Sequence, residues 1–136
     1  MEYNLVHAML GRLGVLIPLL GLLFEIASII SQKKEISKIA GVIVILGYLI
    51  VISAEITGFQ EFLYLKSINQ DVQPFRVHMV IGGIVIVIFT FLSLIRIYLY
   101  KKVNEKVMIA YMVMYTITVM ANLLSNEVII HSLRGE

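Results

Sequence analysis

The residues able to do chemistry in this sequence are few: three histidines, His7, His78 and His131, with the carboxylates Glu55 and Glu127. Imidazole serves as a proton carrier, a metal ligand and an axial ligand of haem iron. His7 is followed four residues on by Gly11, and His78 four residues on by Gly82, with Gly83 beside it. On a helix that spacing puts an empty place one turn away on the face of each ring. A flat macrocycle held by two histidines needs such clearance, because its edges press on both backbones. The pair therefore points to one haem b ligated by His7 and His78, with Gly11 and Gly82 as clearance. Arg76, Arg134 or Arg12 would pair with the propionates through charge-assisted bonds. A second chemistry is open to the same residues: His7, His78, His131, Glu127 and Glu55 offer nitrogen and oxygen ligands for zinc, copper or iron.

The elements that must hold these groups are membrane helices. The chain of 136 residues is 60% hydrophobic and 15% charged, too apolar for an ordinary soluble domain and too short for a second one. Four apolar runs, 5–30, 39–59, 75–100 and 107–131, each reach the roughly 20 residues that a span requires. Cysteine is absent, which excludes disulfides, thiolate catalysis and iron–sulfur clusters. With Glu2 at the start and so long a first apolar run, the N-terminus is not expected to be a cleaved signal peptide. A net charge of +2, with the lysines mostly in two short loops, argues against nucleic acid as a partner.

Those two loops, 31–38 and 101–106, hold Lys33, Lys34, Lys38, Lys101, Lys102 and Lys106. Both fall on one side of the membrane, and the lysine bias sets that side inside, leaving both termini and the loop 60–74 outside. Short connections make the first and second helices, and the third and fourth, antiparallel neighbours. The expected fold is all-α: one integral membrane domain over residues 1–136, an up-down-up-down four-helix bundle in the cell membrane. Tyr3, Phe62, Tyr64 and Phe75 would lie at the outer interface, and Tyr98, Tyr100 and Tyr111 at the inner one. Pro74 suits the first turn of the third helix. The stretch 62–65 reads either as an interfacial turn or as a continuation of helix two.

This topology gathers the polar residues in the outer half. His7, Glu55, Thr57, His78, Asn122, Asn126, Glu127 and His131 share that depth, and Arg12 lies about 10 Å inward of the first helix's start. The inner half holds Glu25, Arg96 and little else. Along the first helix His7, Gly11, Gly14, Pro18, Gly21 and Glu25 follow at steps of four, three, four, three and four, one stripe down one face. An ionisable group within a span is costly and marks a candidate site. Plainer roles stand beside these: the glycines let helices approach, Met108, Met112, Met114 and Met120 fill space, and His131 sits at the interface. Arg12, Glu25 and Arg96 would snorkel to the headgroups. Neither a His-Glu-x-x-His zinc motif nor a Gly-x-Ser-x-Gly elbow is present.

Four segments, one per helix, carry a resemblance: Leu5-Val6-His7-Ala8-Met9, Ala54-Glu55-Ile56-Thr57-Gly58, Arg76-Val77-His78, and 124–131, which ends in His131. Together they resemble a widespread family of small four-helix membrane proteins classed as a domain of unknown function. In that family a histidine follows Leu-Val in helix one, Thr-Gly closes helix two, and histidines start helix three and end helix four. The chain differs at Ala8-Met9, where the family has Phe-Pro, and at Ser125-Asn126, where it tends to have glycines. The resemblance implies the fold and marks His7, His78 and His131, without implying an activity. The first expectation is thus a small b-type cytochrome-like protein passing electrons, with a quinol or a redox protein as partner. The alternatives are a non-catalytic subunit of a larger membrane complex, as a homodimer or with other chains, and a non-haem metal site.

Overall fold

The four apolar runs become four long helices, in spite of Pro18 within the first: α1 (Glu2–Ser31), α2 (Lys34–Ser67), α3 (Gln73–Lys101) and α4 (Glu105–Arg134). The computed structural model describes the backbone of residues 2–134 and the side chains of residues 5–127 apart from Pro74. All four helices are long and apolar enough to cross a membrane, and no strand occurs among the described residues. Each of α1 and α3 packs on both α2 and α4, so α1 faces α3 across the diagonal of an up-down-up-down bundle. Ile30, Val42, Val80, Val87, Phe91 and Leu94 are exposed on its outside, where lipid takes the place of water.

The connections are shorter than expected. Helix α2 continues to Ser67, so the stretch 62–65 is helix, and the loop expected over 60–74 shrinks to residues 68–72. Residues 60–67 contain neither proline nor glycine to stop it, and Gln60, Glu61, Leu63, Leu65 and Lys66 favour helix. Asn69 takes the left-handed conformation, with φ 59°, which Asn tolerates better than most residues. Asp71 Oδ1 then accepts the N–H of Gln73 at 3.0 Å at the start of α3, and Asn104 Oδ1 accepts that of Val107 at 3.2 Å in the first turn of α4. Pro74 lies in the first turn of α3, as expected. The N-terminus, the α2–α3 connection and the C-terminal end of α4 share one end of the bundle, here the terminal end. The exposed lysines 33, 34, 38, 101, 102 and 106 mark the other, the lysine end.

The stripe along α1 is the seam on which the bundle closes. Pro18 lies inside the helix and has no N–H to give the Gly14 carbonyl. Asn122 of α4 supplies the missing donor, Nδ2 to Gly14 O at 3.0 Å. One turn further, the Tyr115 hydroxyl donates to Pro18 O at 2.6 Å. Gly21 leaves room for it, since a Cβ there would lie 2.8 Å from that hydroxyl oxygen. Gly47 admits the Pro18 ring in the same way, at 3.1 Å. Around this seam the core consists of Val44, Val51, Phe89, Leu92, Tyr111, Tyr115 and Val119. Tyr111, expected at the inner interface, is instead fully buried and stacks on Tyr115 with centroids 5.7 Å apart.

Glu25 and Arg96 do not snorkel. Both are buried, and Arg96 Nε lies 3.1 Å from Glu25 Oε2 across the α1–α3 diagonal. The guanidinium also donates through Nη2 to the Ser37 carbonyl and to Ser37 Oγ at 3.0 Å. Gly41 accommodates it: a Cβ there would sit 3.3 Å from the guanidinium. With the charges opposite and at one depth, pairing in the core replaces the reach to the headgroups.

Candidate functional site

In the terminal half of the bundle, His7, Gly11, Gly14, Val51, Ala54, Glu55, His78, Asn122 and Asn126 surround a polar cavity of about 20 Å³. That is room for about one water. All four helices contribute, which follows from polar residues placed at equal depth on antiparallel neighbours.

The two histidines turn away from each other. His7 faces α2: its Nδ1 is 3.0 Å from Thr57 Oγ1, and its Nε2 is 4.0 Å from the Glu61 carboxylate. Its ring lies on Gly58, where a Cβ would meet Cε1 at 2.8 Å. The Thr57 hydroxyl is directed at the carbonyls of Ser53 and Ala54, 3.1 and 2.9 Å away. Its single proton is thereby engaged, so His7 Nδ1–H is the donor. His78 faces α4, its Nδ1 2.9 Å from Ser125 Oγ.

Glu55 lines the same cavity as both rings. Its carboxylate rests on Gly82 of α3, where a Cβ would overlap both carboxylate oxygens. Gly82 therefore makes room for a carboxylate, and the clearance expected for a macrocycle is already filled. Among the described residues Glu55 has no hydrogen-bond or ion-pair partner, in contrast to Glu25. Asn122 is engaged with Gly14, and Asn126 Nδ2 donates to the Asn122 carbonyl at 3.1 Å.

The whole of this site lies inside a family match. Residues 4–128 match the family of predicted membrane proteins DUF2231. The chain belongs to DUF2231. No curated protein and no solved structure matches it. The DUF2231 assignment makes it a predicted membrane protein, in keeping with four helices long and apolar enough to cross a bilayer.

The remaining candidates separate in this DUF2231 chain. Gly11 lines the cavity with open space where its Cβ would be, and Gly83 likewise meets nothing within 4 Å. Arg12 and Arg76 are exposed on the bundle surface, as is Glu127. The side chains of His131 and Arg134 lie outside the described residues. Among those described, no three His, Asp or Glu side chains converge to hold a metal ion, because His7 and His78 are each held by a different helix and Glu127 faces outward. Beside His78 there is a larger hollow of about 460 Å³, an apolar groove between α3 and α4 lined by Val77, Ile81, Ile84, Ile117 and Leu124 among others. Sequence reasoning missed the hydroxyl partner Ser125, which has no local signal. The Asn122–Gly14 bond did have one, since Pro18 announces an orphan carbonyl four residues earlier.

Proposed function

We propose that this protein handles protons at a site within the membrane, with Glu55 as the proton-binding group and His7 and His78 as flanking bases. The observation that carries the reading is the place of Glu55. Its carboxylate lies inside a span, on a cavity the size of one water, with no partner among the described residues. A bare charge there is expensive, and a proton removes the expense. His7 and His78 line the same cavity and bring two imidazoles to it. On this reading the terminal end faces outward, as the lysine bias of the short loops favours. The test is chemical. A hydrophobic carbodiimide activates protonated carboxyl groups, so in membranes it should modify Glu55, and Glu55→Gln should abolish the labelling. Labelling absent from Glu55 would remove the reading.

One observation favours a second reading, a b-type haem between His7 and His78 passing electrons to or from a quinol or redox protein. Each Nδ1 is bonded to a hydroxyl, which leaves Nε2 of each ring as the nitrogen for iron. A haem does not fit the packing described, since the cavity is about 20 Å³. This reading requires α1 and α3 to part and Glu55 to leave Gly82. An absorption spectrum of the purified protein decides it: reducible haem bands lost in His7→Ala and His78→Ala support it, and a colourless protein that takes up no haem excludes it.

A further inference from the structure

The proton site occupies only one end of the bundle. Glu25 lies eighteen residues beyond His7 on the same stripe of α1, about 27 Å along the axis at 1.5 Å per residue. There the diagonal that the histidines leave open is closed by charge. Arg96 of α3 pairs with Glu25 of α1 at 3.1 Å, and its Nη2 donates to Ser37 at the start of α2. Tyr111 and Tyr115 of α4 are the titratable groups facing Glu25 from that helix. Tyr111, Tyr115 and Glu25 are fully buried and Arg96 is 4% exposed. Every helix of the bundle thus contributes to the closure. Between the two polar levels stand Phe89, Leu92, Val44 and Val51, all buried.

We propose that the Glu25–Arg96 pair is an internal seal that gives the Glu55 cavity access to the terminal side of the membrane alone. The physical grounds are two. A guanidinium fixed in low dielectric repels cations and protons approaching through the lysine end. The pair also ties α1 to α3 where no neighbouring contact does, so this half of the bundle cannot part while the pair is intact. Among the described residues the terminal end has no such tie: His7 of α1 is held by α2 and His78 of α3 by α4. Among the described residues Glu55 meets no comparable barrier there, the titratable groups that line its cavity being His7 on α1 and His78 on α3, with Asn122 and Asn126 on α4. The outcome is a proton site with a closed floor, not a through-going path. The assignment rests on the proton-handling reading for its consequence, but the seal has its own test.

The experiment uses the full chain in proteoliposomes of uniform orientation, selected by capture of a tag on the C-terminus. Two readouts are taken. The first is a single cysteine at Ser93, a buried position on α3 three residues before Arg96, probed with a membrane-impermeant thiol reagent from the lysine side. With the pair intact Ser93→Cys should stay unreacted; in a Glu25→Gln/Arg96→Met background, which removes both charges together, it should label at least tenfold faster. Rapid labelling with the pair intact overturns the seal, and so does equal protection in a folded double variant. The second readout is the infrared band of protonated Glu55, identified by its loss in Glu55→Gln, while pH is changed on one side at a time. It should follow the terminal side only, and in the double variant both sides. A band that follows the lysine side in the native chain overturns the seal while leaving the proton site standing. A missing Glu55 band, with Ser93→Cys protected only by the intact pair, refutes the proton site and leaves the seal standing.

Discussion

The side-chain amide of Asn122 stands 3.0 Å from the Gly14 carbonyl, the acceptor that Pro18 deprives of its helical partner. Within a membrane an unsatisfied carbonyl has no water to turn to, and proline in a spanning helix is tolerated where a neighbour supplies the bond. Removing the amide in Asn122→Ala should cost about 0.6–2 kcal/mol, the range for hydrogen bonds between spanning helices and for orphaned acceptors. In a Pro18→Ala background the N–H returns, and the same Asn122→Ala change should cost measurably less. Reversible unfolding in mixed micelles gives the double-mutant cycle, and equal costs in both backgrounds would mean that the bond does not answer Pro18.

Gly11 and Gly82 look alike in the sequence and part company in the structure. A Cβ on Gly82 would overlap the Glu55 carboxylate, whereas one on Gly11 meets nothing within 4 Å. Gly82→Ala should therefore displace Glu55 and reduce its carbodiimide labelling severalfold. Gly11→Ala should leave labelling intact and stability within about 0.5 kcal/mol of the native chain. Mass spectrometry of the labelled peptide and thermal unfolding in detergent check the two halves.

Much of this was legible from spacing. The step pattern from His7 to Glu25 located the seam of α1, and the lysine loops placed His7, Glu55 and His78 at one end. What the pattern could not reveal was direction within a helix face. His7 and His78 share a depth, but Thr57 and Ser125, on neighbouring helices, turn their rings apart, and no local rule reads a partner about fifty residues away. For Glu25 and Arg96 the interior and the headgroups both stayed open, for the converse reason. Each alone would reach for the headgroups, and only the diagonal packing makes pairing the alternative. The length of α2 stayed open between a turn and a continued helix because polar Gln60 and Glu61 resemble a loop beside an apolar span, although both favour helix.

Breaking the Glu25–Arg96 pair from one side should be severe. Arg96→Met leaves Glu25 buried without its counter-charge, a loss of about 3–5 kcal/mol in comparable buried pairs, while removing both charges in Glu25→Gln/Arg96→Met should recover most of it. Unfolding midpoints of the two single variants and the double variant give the comparison. A double variant no more stable than Arg96→Met would show that the charges are not a coupled pair.

The lysine loops predict an orientation with both termini outside. The chain has no cysteine, so Ser67→Cys and Ser31→Cys, both exposed, report cleanly. In intact cells an impermeant thiol reagent should label Ser67→Cys and spare Ser31→Cys. The reverse pattern would turn the polar cavity toward the cytoplasm.

The central claim is that Glu55 takes and releases a proton inside the membrane, and an infrared pH titration of the protein in lipid addresses it directly. Native chain and Glu55→Gln are compared in the region of protonated carboxyl groups in apolar surroundings. The account predicts one band that grows and fades reversibly with pH in the native chain and is missing in Glu55→Gln. Superimposable titrations of the two proteins would contradict it.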